Sequence, residues 1–367
     1  MLPSPSSLHD FALVGGGIVG ACLAEELGRQ GASVLVLDAG DEPGHASNRA
    51  AGVAAPSLRY LDDREFFDWL RTAKADLDAD VARLEPQYGA FSVTRPILRA
   101  LRETDVDVYG EMLEELAVGA WVEDTELASL APGLNLPPSR RYLLDPNGMM
   151  VDGRRYLNAV RRRCVGQGVS WLQNATVREV REEATSIALV ADDRAFQADR
   201  VVIAAGAWSS GNGLAESTGI RPQRGQMAVL RTEETLSCIL SSAFYLAPGV
   251  GGDIIVGTTE EHARFADHVT TQGIDQLLRF ATTTMPRLES SIPVELRAGL
   301  RPMSPTGRPL VGALPSHERI FISAGHAGHG LLSARCTAKG LAEGLLRGNW
   351  EVLPHSMCPA HALNGAA

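Results

Sequence analysis

A short apolar run at 11–14 ends in Gly15-Gly16-Gly17, and helical spacing of apolar positions through Ile18, Cys22, Leu23 and Leu27 follows until Gly31. A second apolar run occupies 33–38. Strand, glycine turn, helix, glycine stop and strand predict one right-handed β-α-β unit opening a parallel sheet. Over 61–84, Phe66, Phe67, Leu70, Ala73, Leu77, Val81 and Leu84 recur every three or four residues with acids and arginines between them, which predicts a long amphipathic helix. A second helix is expected over 153–163, with Asp152 as N-cap and Tyr156, Leu157 and Val160 on its buried side. Its last turn, Arg161-Arg162-Arg163, reads as a solvated end complementing the helix dipole.

Short β-like runs at 177–182, 187–191 and 194–197 lead into a nearly pure apolar strand at 201–205, a small meander returning to a buried strand. Runs at 227–231, 244–246 and 254–258, the last two joined by a glycine-rich turn at 249–253, suggest a different, more antiparallel sheet. A final helix follows Gly330, with Leu331, Leu332, Leu341, Leu345 and Leu346 as its apolar stripe.

The 367 residues suggest about two domains, and 45% apolar content with mean hydropathy of −0.03 fits a soluble globular chain. A net charge of −10 argues against nucleic acid or an anionic membrane as partner. Five scattered cysteines suggest neither a disulfide framework nor a zinc site, and no metal is expected. The 1–10 tail lacks the basic start of a secretory signal, and no apolar run reaches the roughly 18 residues that span a bilayer, so a cytoplasmic location without a transmembrane segment is expected. Lys74 and Lys339 are the only lysines.

Gly15, Gly17 and Gly20 form GxGxxG in the context that gives the pattern meaning: after a strand, opening a helix, with Asp38 ending the next strand. Gly15 permits the turn, Gly17 lets backbone approach a pyrophosphate, and Gly20 allows close helix–strand packing. Ile18 and Val19 begin the helix whose free amides face the phosphates, while Asp38, next to Ala39, is placed for a ribose hydroxyl. The motif does not by itself separate NAD from FAD.

Further motifs follow in order: 46–52 (ASNRAAG), 201–209 (VVIAAGAWS), Arg224-Gly225-Gln226, Gly299-Leu300-Arg301-Pro302 with Thr306-Gly307-Arg308-Pro309, and 325–330 (GHAGHG). Together they resemble the D-amino acid oxidase-like FAD oxidoreductases, a group containing glycine oxidase, sarcosine oxidase and D-amino acid dehydrogenase, with glycine oxidase the nearest pattern. The resemblance runs from about Phe11 to about Gly348. It implies FAD held without a covalent link. Ala46, Ser47, Ala51, Gly52 and Val53 would lie against the flavin and its phosphates, Val177 at the adenine, and Ala205 and Gly206 beneath the cofactor. His326, Ala327, Gly328, His329, Gly330 and Leu331 would pass the flavin pyrimidine edge. The two histidines read equally well as turn residues whose backbone matters more than the ring.

The resemblance places Arg301 at the substrate carboxylate, a task suited to a guanidinium fork, and Tyr245 in the same pocket. It implies hydride transfer from a small amine or amino acid to flavin N5, giving an imine and then a 2-oxo acid. No general base is compelled, and no catalytic residue is assigned. No cysteine falls near 301–304, where sarcosine oxidases link their flavin, and the place of their oxygen-activating lysine, near Ile255, is apolar. Glu260 stands where an apolar residue is expected and is open to two readings, attraction of a second amine or solvation. Oxygen or another acceptor, a quinone or protein, therefore remain alternatives, as do a biosynthetic amine or amino sugar substrate, a catalytically silent flavin-binding subunit and a homo-oligomeric state.

The expected fold is α/β with two domains. A discontinuous Rossmann-type FAD domain with a parallel sheet and β-meander would comprise 1–80, 140–215 and 297–350. A mixed or antiparallel substrate domain would comprise 81–139 and 216–296, with 351–367 a C-terminal tail.

Overall fold

The computed structural model describes residues 8–40, 44–211, 214, 215 and 218–364. An eight-stranded sheet is built around Leu8–Val14, which lies parallel to Val34–Asp38 on one side and to Arg194–Ile203 on the other. Ser170–Gln173 extends it beyond Val34–Asp38, and Ile320–Ala324 pairs in parallel with Arg194–Ile203. These strands are apolar at successive positions because both faces are covered. Leu13, Val36 and Val202 face a helical layer, while Ala12, Leu35 and Val201 face the meander residues Ile187 and Leu189.

The meander strands Val177–Glu182 and Ile187–Ala191 fall where expected. The runs at 194–197 and 201–205, however, are one strand, Arg194–Ile203, antiparallel to Ile187–Ala191 at its start and parallel to two neighbours at its end. Asp199 and Arg200 interrupt the apolar pattern without ending the strand: Arg200 stays in register with Phe11 and its side chain lies over that ring.

The helices Ile18–Arg29, Arg64–Tyr88, Gly153–Gly166 and Gly330–Arg347 form the covering layer. Asp152 caps the third through Arg155 N at 3.0 Å. Its arginines are not merely solvated: Arg161 lies over Trp171, Arg162 over Tyr88, and Arg163 reaches Glu25 at 3.4 Å. Leu346 leaves the stripe of the last helix and is exposed, whereas Leu341 is fully buried.

All four helices meet at a buried ionic cluster. Arg335 donates to Asp80 Oδ2 at 2.8 Å and to Glu25, Arg83 bridges the same two acids, and the Tyr156 hydroxyl donates to Asp80 at 2.7 Å. Burial pushes the Glu25 carboxyl up, but Arg83 and Arg335 outweigh it and hold the pKa at about 2.

A nine-stranded sheet runs in the order Gly44–His45, Ile292–Met303, Arg221–Arg231, Ile254–Gly257, Tyr245–Pro248, Ile239–Ser241, Ile97–Leu101, Arg141–Asp145, Ala120–Val122. It is antiparallel except at two neighbouring pairs. Arg141–Asp145 and the whole of Ile292–Met303, assigned from sequence at least partly to the cofactor domain, hydrogen-bond into this sheet. The helix Thr271–Thr284 covers one face with Leu277 and Ala281, and the opposite face borders a cleft. Among the described residues no helix is long and apolar enough to cross a membrane.

Candidate active site

The cleft between the two sheets encloses about 1360 Å³, counting space open to solvent. Ahead of Ile18, which lines the cleft, the strand Leu8–Val14 turns through Gly15, whose φ of +110° suits glycine and whose Cβ, if present, would lie 2.5 Å from Ala204 O. A Cβ on Gly20 would lie 2.1 Å from Gly15 O, so helix and turn touch backbone to backbone. Gly17 opens the helix with no side-chain cap, and no acidic residue occupies the first turn. That leaves a helix N-terminus suited to a pyrophosphate. Ser47 Oγ accepts from Ile18 N at 3.0 Å and fixes the 46–53 segment against this end.

Asp38 ends its strand with few donors: Gly40 N stands 3.4 Å away, and burial pushes the carboxyl above its usual range against the amides of Gly40 and Gly16. A ribose hydroxyl would supply the missing donor, and the residues present therefore fit an adenine dinucleotide. Gly15, Gly17, Val19, Gly20, Asp38, Ala39, Val177, Ala205 and Gly206 lie outside the cleft lining, whereas Ile18, Ala46, Ser47, Ala51, Gly52 and Val53 belong to it.

Residues 326–331 all border the cleft. Burial lowers the His326 pKa to about 3 and that of His329 to about 4, so both rings are neutral at pH 7. Ser333 Oγ donates to His329 O at 2.9 Å, hence His326 Nδ1, 3.0 Å from the same hydroxyl, is the donor and Nε2 the bare acceptor. The helix Gly330–Arg347 begins without a side-chain cap or first-turn acid, a dipole end suited to the charge of a reduced flavin. These features extend the fit from dinucleotide to FAD.

Arg301 and Tyr245 come together in the same cleft. Arg301 Nη1 donates to Thr259 O at 3.0 Å and faces Gln223 Oε1 at 3.5 Å, while Nη2 donates to Thr258 Oγ1. Every one of these partners is neutral. Burial pulls the guanidinium pKa down, and Glu260 and Tyr245 act against that shift. The guanidinium lies on Gly225, where a Cβ would meet Arg301 Nη2 at 2.6 Å. Gly225→Ala is accordingly expected to weaken carboxylate binding about tenfold, the equivalent of 1.4 kcal/mol, at full FAD content. A ligand titration beside the flavin absorbance of the purified variant checks this.

Sequence reasoning missed several lining residues. Arg59 pairs with Glu260 at 3.3 Å across the exposed mouth, which supplies the partner for Glu260 that its position left open. Arg99 borders the cleft while nearly buried, and its only signal was a charge inside the apolar run Ile97-Leu98-Arg99-Ala100-Leu101. Among the described residues no group of three His, Cys, Asp or Glu could hold a metal.

Comparison with known proteins agrees with this architecture. A family model described as FAD dependent oxidoreductase matches residues 10–344. The glycine oxidase of Pseudomonas putida is 27% identical over 350 residues, covering 88% of this chain and 90% of its own. The crystal structure of glycine oxidase from Geobacillus kaustophilus superposes with a TM-score of 0.88 at 22% identity, covering 96% and 98% of the two chains. L-proline dehydrogenase from P. horikoshii gives 0.86 at 19% identity, covering 98% and 99%. A glycine turn shaped for a dinucleotide, a cleft continuing to Arg301 and a family match over most of the chain lead to one assignment: the protein belongs to the FAD dependent oxidoreductase family.

Proposed function

We propose that this enzyme oxidises a small amine or amino acid, of the glycine, sarcosine or D-amino acid type, at the carbon bearing nitrogen. The observation carrying the reading is Arg301, a half-buried cation in the cleft whose hydrogen-bond partners are all neutral. Such a site is completed by an anion, and a carboxylate matches the fork. The names of the similar glycine oxidases support the same class.

FAD, when bound, supplies the hydride acceptor at flavin N5. Arg301 and Tyr245 hold the substrate carboxylate and thereby orient the adjacent C–H bond. Met227, Val53 and Ala55 line an apolar wall that limits water. Neutral His326 offers Nε2 as an acceptor and takes up no proton at pH 7. As the substrate C–H leaves with its electron pair, the nitrogen lone pair forms C=N and a nitrogen proton passes to solvent. Water then adds to the imine, giving a 2-oxo acid and ammonia, or a primary amine from a secondary one. No side chain of the protein is assigned as base.

Anaerobic titration of the yellow protein with glycine, sarcosine, D-alanine and D-proline is expected to bleach the visible flavin band with at least one of them. A band left intact by every small amine and amino acid tried would overturn the reading. A second reading, transfer of electrons to a quinone or protein, is favoured by the lysines: Lys74 pairs with Asp78 and Lys339 with Asp76, both away from the cleft. Slow recolouring on readmission of air supports it, and fast recolouring supports an oxidase.

No cysteine lines the cleft among the described residues, so acid precipitation should leave the flavin in the supernatant, as dissociable FAD requires. The free cysteines agree with a reducing cytoplasm. We assign the eight-stranded sheet with its helices to FAD binding and the nine-stranded sheet to the substrate.

A further inference from the structure

Four arginines border the cleft that would hold FAD and the substrate. Arg49, Arg59, Arg99 and Arg301 border it, against Glu260 alone among acids. Arg59 and Glu260 answer each other at the mouth, with side chains 60% and 51% exposed. Arg99 differs: it is 8% exposed and sits between apolar neighbours in the strand Ile97–Leu101.

Register fixes where it projects. Arg99 pairs with Ser241, Ser241 with Tyr245, Tyr245 with Gly257, and Gly257 with Met227. Residues in register share a sheet face, so Arg99 stands on the face that carries Tyr245 and Met227, two strand steps or about 10 Å from Tyr245. Its Nη2 donates to Asp145 Oδ2 at 2.7 Å and to Pro56 O at 3.0 Å. Asp145 Oδ1 in turn accepts from Asn147 N at 2.9 Å, which anchors the pair to its turn. Among the described residues no acceptor meets Nη1 or Nε, although Nε is buried. Nη2 is thus held by protein while the buried Nε has no partner, and Arg99 and its neighbour Ile97 border the same cleft as Tyr245.

We propose that Arg99 reads a second acidic group, and that the substrate is an amino acid or amine with a carboxylate at the end opposite the one held by Arg301. This rests on the Arg301 reading above. Asp145 offsets the charge of Arg99, and a guanidinium with an unmet buried donor favours an acid over its amide. Arg99 acts in binding and takes no part in hydride transfer.

The test uses the wild-type holoenzyme and unreactive carboxylates, read as dissociation constants from the shift of the flavin band. Succinate, glutarate, adipate and pimelate are compared with their mono-amides and with monocarboxylates of equal length. At one chain length the dicarboxylate is expected to bind at least about tenfold more tightly than its mono-amide, as one charge-assisted hydrogen-bonded pair supplies. In Arg99→Gln/Asp145→Asn, which removes both charges of the pair, the advantage should collapse to within about twofold. Should that variant not fold, the wild-type ladder decides alone. Monocarboxylates that bind while no dicarboxylate exceeds its mono-amide would overturn the second reader and leave Arg301 intact. If no carboxylate shifts the band, the Arg301 reading falls and this one falls with it.

Discussion

Replacing Arg301 with alanine is expected to raise the Michaelis constant for an amino acid substrate by roughly two orders of magnitude, while kcat falls much less. Truncating one partner of a hydrogen-bonded charge pair costs about 2–5 kcal/mol, and the lower part of that range, about 2.8 kcal/mol, is a hundredfold. The split between the constants matters, because an interaction kept equally in ground and transition states appears in KM alone. Arg301→Lys should recover little. The flat seat over Gly225 and the separate anchors at Thr258 and Thr259 suit a planar fork, which an ammonium cannot reproduce. FAD content should stay at wild-type level in both variants. Steady-state kinetics on the substrate found by bleaching decide the matter, and an unchanged KM would remove Arg301 from the carboxylate site.

Arg335→Met is expected to cost about 3 kcal/mol of stability, because it leaves the buried Glu25 and Asp80 with the half-exposed Arg83 as their main shared cation. At roughly 1.3 °C per kcal/mol for a chain of this size, the melting temperature should fall by about 4 °C. Glu25→Gln/Asp80→Asn/Arg335→Met removes the stranded charges along with the arginine and should restore part of the loss. The pH dependence follows from Glu25. Its folded value near 2 lies below the ordinary 4.5, so its contribution is full above pH 4.5 and is lost as pH falls toward 2. Thermal melts between pH 5 and pH 2 check this directly. The wild type should lose stability steeply across that interval and the triple variant much less.

Legibility in the sequence followed locality. The glycine turn, the helix after it and Asp38 lie within 15–38, and their spacing carries the same constraint in one dimension as in three. The apolar strands covered on both faces were readable for the same reason. By contrast, the strand Ile292–Met303 contains two prolines and a glycine, and its cleft-facing positions mix Gly299 and Arg301 with Met303. Function has erased the alternation that would have announced it. Asp80 looked like the polar face of an amphipathic helix but is 3% exposed, because its partner Arg335 is 255 residues away. Arg99 was hidden likewise: Asp145, which makes its burial tolerable, belongs to another strand.

The Arg59–Glu260 pair has a consequence for traffic through the mouth. Two side chains so exposed hold each other by about 1 kcal/mol at most, so the unpaired arrangement is populated at roughly one part in five or more. The doorway of this enzyme therefore stands ajar, and an arriving molecule forfeits little affinity by waiting for it to open. Added salt loosens the same clasp, which makes the rate of passage the first property to respond to ionic strength, ahead of anything at the reacting carbon.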